Sequence, residues 1–320
     1  MVMRQNEHLL APAAEDREFI GRCREVLGKH GRSFHWASLI LPKDVRDDAA
    51  LAYAFCRLVD DSADEATTLE VANEQLLEIE DMLRGRRART ALVEAFVLMC
   101  ERRRIAMTPA LDLIAGARSD LTSVRVDSDQ TLGLYCYRVA GTVGLLMCGI
   151  LGVRESEAMR RAVHLGMAMQ LTNICRDVLE DLERDRIYLP ESRLMRLGLS
   201  QHEICLVIRD GQGTPQAVRE ISNKLASSVR ELLNEADLLY ESGRQGMRYL
   251  QGRVRLAVMV AGVLYREVGV RLRDQRGGDA LRGRVVVPVW RKWVLTLGEL
   301  FSFLSGGPKR ICLDDVKELG

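Results

Sequence analysis

Two short acidic clusters, each inside an otherwise apolar helical stretch, limit the folds that are open to this chain. The first lies in residues 170–190, QLTNICRDVLEDLERDRIYLP, where Asn173, Asp177 and Asp181 follow one another at intervals of four. On an α-helix such positions share one face, and no glycine or proline interrupts a helix predicted to continue to about Arg186. Two carboxylates and an amide oxygen on one face are hard ligands of the kind that Mg²⁺ takes, although solvated carboxylates also adopt this spacing.

The second cluster occupies residues 53–65, YAFCRLVDDSADE, in which Asp60 and Asp64 are again four apart. Like charges at this spacing repel each other on a helix, and burying them costs free energy unless cations compensate. Two such clusters on apolar helices therefore predict one cavity in which divalent metal ions lie between facing helices. Because Mg²⁺ held by few carboxylates shares its coordination shell with water and substrate phosphate, we expect a diphosphate substrate.

Apolar residues recur at helical spacing along the whole chain, and no sustained strand-like alternation interrupts them. We therefore predict an all-α protein with one domain over residues 15–305, between tails at residues 1–14 and 306–320. The expected helices cover residues 15–29, 44–64, 68–84, 88–103, 109–120, 131–153, 155–186, 200–209, 215–242, 254–273 and 290–304.

The composition argues against a nucleic-acid-binding protein. Lysine and arginine number 46 against 45 aspartate and glutamate residues, whereas a nucleic-acid footprint shows a basic excess. None of the eight cysteines forms a CxxC pair, which predicts reduced core residues of a cytosolic protein and neither disulfides nor a zinc site. The start of the chain has no apolar core for a secretory signal. The longest uncharged run, Val139–Val153, is shorter than the roughly 20 residues of a spanning helix, so no transmembrane segment is predicted.

Three signatures of this sequence resemble those of the squalene/phytoene synthase family, the head-to-head isoprenoid synthases. They are residues 57–65, RLVDDSADE, residues 135–144, YCYRVAGTVG, and the stretch 170–190. The resemblance extends from about residue 30 to residue 291, and the segments SFHWASLILP and YREVGVRLR are most similar to bacterial phytoene synthases. It implies a single-domain isoprenoid-synthase-type helical bundle around a central apolar cavity.

The resemblance also implies roles for individual residues. It implies metal binding by Asp60, Asp64, Asn173, Asp177 and Asp181, with the four aspartates and Tyr135 as catalytic residues. It implies substrate contacts by His30, Gly31, Arg32, Ser33, Tyr53, Arg57, Gln170, Asn173, Arg176, Tyr265 and Arg284. Without the resemblance, Tyr53 and Tyr265 are ordinary core residues and Arg284 is a surface residue. Residues 30–33 are then a helix junction at which Ser33 caps the following helix.

Three small residues, Ala140, Gly141 and Gly144, lower the surface of the predicted helix over residues 131–153. By themselves they favour close packing between helices. The resemblance instead places them in the wall of a cavity for a polyprenyl chain, with Tyr135 facing the reacting carbons.

The reaction that the resemblance implies is the Mg²⁺-dependent condensation of two geranylgeranyl diphosphates, through prephytoene diphosphate, to phytoene. This is the first committed step of carotenoid biosynthesis, and Mn²⁺ is an alternative metal. A second hypothesis is condensation of two farnesyl diphosphates to squalene, presqualene diphosphate or dehydrosqualene, of which only squalene needs NADPH. A third is a catalytically inactive assembly or lipid-binding protein on the same scaffold, which the retained aspartates argue against.

The last predicted helix, residues 290–304, combines tryptophans and leucines with Arg291 and Lys292. It can pack on the bundle or lie in a membrane interface. The basic runs at residues 84–89 and 102–104 are interpreted as solvated faces, with contact to anionic lipid as the alternative. We therefore expect a cytoplasmic protein, with peripheral association at the inner face of the cell membrane as an open alternative. The sequence leaves the oligomeric state open.

Overall fold

Helices form almost all of the regular structure in residues 17–305, the part of the chain that the computed structural model describes. The α-helices are α1 Arg17–His30, α2 Arg32–Ser38, α3 Lys43–Asp64, α4 Leu69–Leu83, α5 Ala91–Arg103, α6 Thr108–Arg118, α7 Asp129–Cys136, α8 Thr142–Ile150, α9 Ser156–Arg176, α10 Val178–Glu183, α11 Glu191–Arg196, α12 Gln201–Ile204, α13 Pro215–Gln245, α14 Gly252–Arg276 and α15 Val289–Leu304. Within the same range, π-helical turns cover Tyr137–Gly141 and Cys205–Arg209, and 3₁₀ turns cover Gly246–Tyr249 and Ala280–Arg282. The prediction of an all-α protein is confirmed. The tails predicted at residues 1–14 and 306–320 lie outside the described residues, and the domain boundaries stay predictions.

Several helices begin at hydroxyl residues whose side chains cap them. Thr68, Thr90, Ser128, Ser200 and Thr214 each accept a hydrogen bond from the backbone N–H three residues further on. Each bond satisfies one of the donors that a helix leaves unpaired at its start. The positions of these residues therefore set where α4, α5, α7, α12 and α13 begin.

The predicted cap at Ser33 is wrong. The helix α2 begins one residue earlier, at Arg32, and Gly31 occupies the N-cap position without a side-chain hydrogen bond. A Cβ at Gly31 would lie 2.9 Å from the ring of Tyr53. The glycine therefore marks a close approach between this junction and α3, which the local pattern of capping residues does not reveal.

The helix α9 occupies the centre of the bundle and packs against α8, α13 and α14. One large apolar cluster joins α1, α3, α5 and α6, and at its centre the rings of Phe55 and Phe96 stack at 3.9 Å. A second cluster joins α9, α13 and the segments that follow α9. Side chains associated with both clusters, such as Leu27 and Leu165, line one cavity between the helices.

The helix α9 approaches α8 and the π-helical turn before it so closely that two positions require glycine. A Cβ on Gly144 would lie less than 3.0 Å from the carbonyl oxygen of Ala162, and one on Gly166 would lie equally close to that of Ala140. Ala140 and Gly144 also line the apolar cavity, whereas Gly141 does not. Ala140 and Gly144 therefore lie both at a close helix contact and in the wall of the cavity.

The stretch that carries the second acidic cluster is not one continuous helix. The helix α9 ends at Arg176, Asp177 leaves helical torsions at φ −103° and ψ 16°, and α10 ends at Glu183. The predicted continuation to about Arg186 is therefore wrong. Arg186–Ile187, strand β2, instead pairs in parallel with Val124–Arg125, strand β1. This tertiary pairing overrides the local helical preference of the sequence.

The helical run Asp129–Ile150 is the one stretch of residues 17–305 that is long and apolar enough, by length and composition, to cross a membrane. Only 39% of its most apolar window is buried. Several of the remaining residues, including Val139, Val143 and Met147, line the apolar cavity. Because the run also packs against α6 and α9, we interpret it as a wall of that cavity.

Seven of the eight cysteines lie in the described residues, where all are free thiols and six are buried. Their position in the core agrees with the prediction, while Cys312 lies outside the described range. The basic runs contain arginines with acidic partners, such as Arg84 with Glu80 at 2.9 Å and Arg103 with Asp48 at 2.7 Å. These pairs support the interpretation of both runs as folded, solvated surface.

Candidate active site

Both acidic clusters line one pocket of about 230 Å³. The helix α3 contributes Asp60 and Asp64, while Asn173, Asp177 and Asp181 come from the end of α9, the break and α10. These are the five residues expected to bind metal. The two sequence patterns, more than a hundred residues apart, therefore meet at one place, which is the arrangement that the metal hypothesis requires.

Desolvation raises the pKa of two carboxylates that are predicted to bind metal in this pocket. Asp60 is exposed to the pocket but enclosed by protein on its other sides, and this desolvation raises its pKa to about 7, with Arg57 opposing and Asp64 adding to the rise. Desolvation likewise raises the pKa of the half-buried Asp181 to about 7, and the neighbouring charge of Asp177 adds to it. Like charges in a poorly solvated recess disfavour ionisation. The pocket is therefore short of positive charge.

Arginines on the rim compensate only some of these carboxylates. Asp64 accepts hydrogen bonds from Arg184 at 3.0 Å and from Arg186 at 2.8 Å. Arg57, which also lines the pocket, pairs with Asp61, whose carboxylate lies outside the pocket lining. These arginines can exchange an aspartate partner for a phosphate group, because the guanidinium group matches the geometry of phosphate oxygens.

Asp177 pairs with two arginines that do not line the pocket. The adjacent Arg176 donates to its carboxylate, with Nε at 2.7 Å from Oδ1, and Arg284 lies 3.5 Å from the same oxygen. Neither arginine lines the acidic pocket or the apolar cavity. Arg284 also lies 3.7 Å from Glu180. Their predicted contact with substrate stays a prediction.

Asp120 is a member of this site that the sequence did not single out. It accepts hydrogen bonds from the hydroxyls of Tyr135 at 2.8 Å and Tyr188 at 2.9 Å, and the two rings stack at 4.7 Å. Burial raises the pKa of Asp120 to about 6, against the effect of both hydrogen bonds. Asp120 follows α6 without any motif of its own. The one pointer to it in the sequence is Tyr188, which lies within the third signature.

Tyr135 lines the acidic pocket and is not among the residues that line the apolar cavity. Its hydroxyl is held by Asp120 and one of its ring faces is covered by Tyr188. It therefore lies where the head of a substrate would sit and away from a long apolar tail.

An apolar cavity of about 330 Å³ opens from the acidic pocket. Four residues line both spaces, namely Asp60, Val139, Gln170 and Asn173. The cavity follows α9 from Asn173 to Ala158, a distance of about 22 Å at 1.5 Å per helical residue. Its far end is closed by residues such as Cys148, Val153 and Leu250. A charged recess thus continues into a long apolar space.

Two predicted substrate residues lie in the wall of the cavity near its mouth. Tyr265 stacks on Phe34 at 4.8 Å, and Tyr53 packs against the same ring at 6.4 Å. Burial raises the pKa of both tyrosines, so their hydroxyls are neutral at physiological pH. His30, Gly31, Arg32 and Ser33 line neither space, and His30 lies within electrostatic reach of Arg57 and Asp61. Their predicted contact with substrate stays a prediction.

The donors in the acidic pocket suit a hard divalent cation. The amide oxygen Oδ1 of Asn173 is buried and has no hydrogen-bond partner, and it lies beside carboxylates whose pKa values are raised by desolvation. A bound cation would satisfy both features. Within the described residues, no three His, Cys, Asp or Glu side chains converge closely enough to hold an ion alone. Water and ligand oxygens would have to complete the coordination of such a cation.

Residues 27–291 match the family model described as "Squalene/phytoene synthase". Among curated proteins, the phytoene synthase of Thermus thermophilus is 36% identical over 271 residues, which cover 84% of this chain and 88% of that protein. The phytoene synthase of Rhodobacter capsulatus is 33% identical over 264 residues, which cover 81% of this chain and 75% of that protein.

Solved structures with the same fold include a dehydrosqualene synthase in complex with a ligand. It is 26% identical, with a TM-score of 0.76 over 89% of this chain and 96% of that one. A squalene synthase from Alicyclobacillus acidocaldarius is 24% identical, with a TM-score of 0.68 over 83% of this chain and 95% of that one. The similarity to the squalene synthase structure concerns the fold alone. Both structures support the expected helical bundle.

Proposed function

Because this chain belongs to the squalene/phytoene synthase family and is a prenyltransferase, we propose that it condenses two geranylgeranyl diphosphates head to head to phytoene. The reaction passes through prephytoene diphosphate. The observation that carries the proposal is the continuity of the acidic pocket with the apolar cavity through Asp60, Gln170 and Asn173. A diphosphate ester of a long hydrocarbon needs a charged pocket for its head next to an apolar cavity for its tail. Few other metabolites need this combination.

The first chemical step is the loss of diphosphate from one substrate. The carbon–oxygen bond breaks and its electron pair leaves with the diphosphate, which requires neutralisation of the negative charge. Asp60, Asp64, Asn173, Asp177 and Asp181 would hold Mg²⁺, with Mn²⁺ as an alternative, and the metal when bound supplies Lewis-acid stabilisation of the leaving group. Arg57, Arg184 and Arg186, which line the same pocket, donate charge-assisted hydrogen bonds to the diphosphate.

The allylic cation that remains alkylates the double bond of the second substrate. Formation of the new carbon–carbon bonds and loss of one proton give the cyclopropylcarbinyl diphosphate. A second loss of diphosphate opens the three-membered ring, and loss of another proton gives the central triene. The apolar walls exclude water that would quench these cations. Tyr135, at the pocket where the carbon–oxygen bond breaks, stabilises positive charge with its ring, and released diphosphate accepts the final proton.

The length of the cavity favours geranylgeranyl over farnesyl diphosphate. The wall along α9 from Asn173 to Ala158 measures about 22 Å. An extended geranylgeranyl tail is on the order of 20 Å long, and a farnesyl tail is one isoprene unit shorter, given carbon–carbon bonds of about 1.5 Å. A farnesyl tail would leave the far end of the cavity empty, which costs contacts. Condensation of farnesyl diphosphate, with NADPH if squalene is the product, is the second candidate.

We place the reaction in the cytoplasm, with the enzyme at the inner face of the cell membrane. Seven free thiols in the described residues suit a reducing compartment. The substrate has one charged end and one apolar end, and the product is a hydrocarbon with negligible solubility in water. An enzyme of this kind works best where its product can enter a bilayer.

The test is incubation of the purified full chain with Mg²⁺ and either geranylgeranyl or farnesyl diphosphate, with and without NADPH, in detergent micelles. We expect phytoene from geranylgeranyl diphosphate in both reductant conditions, identified by mass and by its triene absorbance. Squalene or dehydrosqualene as the preferred product would establish the second candidate. Absence of any hydrocarbon with either substrate would overturn both.

A further inference from the structure

The helix α15 exposes its apolar face and buries its one acidic side chain, the reverse of an ordinary surface helix. Its one acidic residue, Glu299, is only 8% exposed, while Leu297 and Phe301 are 58% and 75% exposed. The exposed apolar residues of this helix form a stripe at intervals of three and four positions, namely Val289, Trp290, Trp293, Val294, Leu297, Phe301 and Leu304. A helix packed only on a bundle would bury such a stripe and expose its carboxylate.

Specific polar contacts hold α15 in this orientation. Glu299 pairs with Arg244 of α13 at 3.1 Å, and Arg291 pairs with the buried Glu267 of α14 at 2.8 Å. The hydroxyl of Thr296 accepts a hydrogen bond from the indole of Trp36 at 3.1 Å. Because the inner face of α15 carries these directional contacts, the apolar face is fixed on the outside of the bundle and cannot turn inward.

Basic side chains lie at both ends of the apolar stripe. Lys292, in the first turn of α15, lies near Arg32 of α2. At the other end, the guanidinium of Arg255 lies 5.9 Å from the ring of Phe303, and Arg253 is exposed near the start of α14. Glu267 and Glu299 are each paired with an arginine, so the described contacts place cations at the ends of the stripe.

The stripe lies next to the wall of the apolar cavity. Trp36 of α2 packs edge-on against Trp293 at 4.8 Å, while Phe34, Ala37 and Ser38 of the same helix line the cavity. The helix α14, on which α15 packs, lines the cavity with residues such as Tyr265. One layer of helices therefore separates the cavity from the exposed stripe.

From this arrangement we propose that the stripe on α15 is a membrane-docking surface that lies in the headgroup region of a bilayer containing anionic lipid. Apolar side chains with tryptophans at one end and cations at both ends match the interfacial region, where apolar and charged groups meet. The choice of a bilayer over a protein partner rests on the proposed function, since the hydrocarbon product leaves from the adjacent cavity. Docking on this face points α2 and α14 towards the lipid that receives it.

The test is co-sedimentation of the full chain with vesicles of phosphatidylcholine, with and without phosphatidylglycerol. We expect binding that increases with the anionic lipid and decreases with salt. The double variant Leu297→Gln/Phe301→Gln should lower vesicle partitioning by on the order of tenfold or more, because two apolar side chains no longer enter the interface. The matched control Leu69→Gln/Met195→Gln, at positions 55% and 64% exposed on other helices, should bind as the wild type does.

Two outcomes would overturn the proposal. One is equal vesicle binding by the double variant and the wild type. The other is a wild type that does not bind vesicles but sediments as a dimer, with the double variant sedimenting as a monomer, which would make a second copy of the chain the partner. Activity in detergent micelles separates this proposal from the catalytic one, since the double variant should retain it.

Discussion

At the scale of single residues, the account depends on carboxylates that are costly in the empty protein and useful when cations and diphosphate are bound. Asp60 and Asp181 both have pKa values raised to about 7 by desolvation, and Asn173 Oδ1 has no partner. Such features are typical of functional sites, where a bound ligand supplies the compensating contacts.

We therefore expect Asp60→Asn to lower turnover by at least about a hundredfold, because it removes a metal-binding charge. The fold should persist, since the carboxylate is unfavourable in the metal-free protein. Steady-state product formation and circular dichroism measure the two effects. Asp177→Asn should behave in the same way, and Glu74→Gln, an exposed site on α4, serves as the control. Near-normal turnover of either aspartate variant would remove the metal assignment.

A second expectation at this scale concerns Asp120. Its native pKa of about 6 lies above its unfolded value, so the native state holds the proton more tightly. The free energy of unfolding of the wild type, relative to Asp120→Asn, should therefore fall by up to about 2–3 kcal/mol between pH 4 and 6 and stay level at higher pH. Denaturant titrations of both metal-free proteins measure this, and a pH-independent difference would refute the assigned burial of Asp120.

The residues of the site differ in how far the sequence could predict them. Asp60, Asp64, Asp177 and Asp181 stand out because carboxylates at helical spacing in an apolar context are unusual and costly. Asp120 could not be found in this way, since its importance comes from tyrosines that only the fold brings to it. Arg184 and Arg186 could not be predicted either, because only the fold brings them to Asp64.

At the scale of secondary-structure elements, the packing of α9 against α8 and the π-helical turn before it determines the shape of the cavity. These segments approach so closely that backbone carbonyl groups replace side chains at Gly144 and Gly166. This contact leaves an open channel along α9 on the side of Ala140 and Val143. The sequence indicated small residues here but could not decide between packing and cavity, because both require the same residue types.

A pair of glycine variants tests this contact. Gly166→Ala should destabilise the protein by about 1–3 kcal/mol, because its Cβ would collide with the carbonyl of Ala140. Gly133→Ala, in α7 with open space around it, should instead stabilise the protein by up to about 1 kcal/mol, as alanine is a better helix former. Thermal or denaturant unfolding measures both changes, and equal effects of the two variants would exclude the close approach of α9 to the π-helical turn before α8.

The sequence predicts the ends of helices where local side chains determine them. It does not predict the ends that tertiary contacts determine. Most helix limits agree with the periodicity to within a few residues. The break at Asp177 and the pairing of β2 with β1 were missed, because residues 177–187 contain no local helix breaker. Tertiary pairing with Val124–Arg125 determines that part of the chain.

At the scale of the whole molecule, the enzyme joins a charged pocket to an apolar cavity inside one helical bundle. The far end of the cavity, near Cys148, Val153 and Ala158, should then decide which chain length is accepted. The fold class and the pairing of the two clusters were predictable from the sequence. The depth of the cavity was not, because it depends on the distance between side chains from five or more helices.

Filling the far end should shift the preference between substrates. Ala158→Phe places a ring in the last part of the cavity, and we expect kcat/KM for geranylgeranyl diphosphate to fall at least about tenfold relative to that for farnesyl diphosphate. Ala158→Ser, which changes the size little, should leave the ratio unchanged. Competition assays with both substrates measure it, and an unaltered ratio in the phenylalanine variant would place the tail elsewhere.

The most direct measurement is a crystal structure of the full chain with Mg²⁺ and the unreactive thiodiphosphate analogue of geranylgeranyl diphosphate. We expect metal density between Asp60 and Asp64 on one side and Asn173, Asp177 and Asp181 on the other, in contact with the diphosphate. The tail should follow α9 towards Ala158. Diphosphate bound away from these carboxylates, or a tail outside this cavity, would show that the pocket and the cavity do not form one active site.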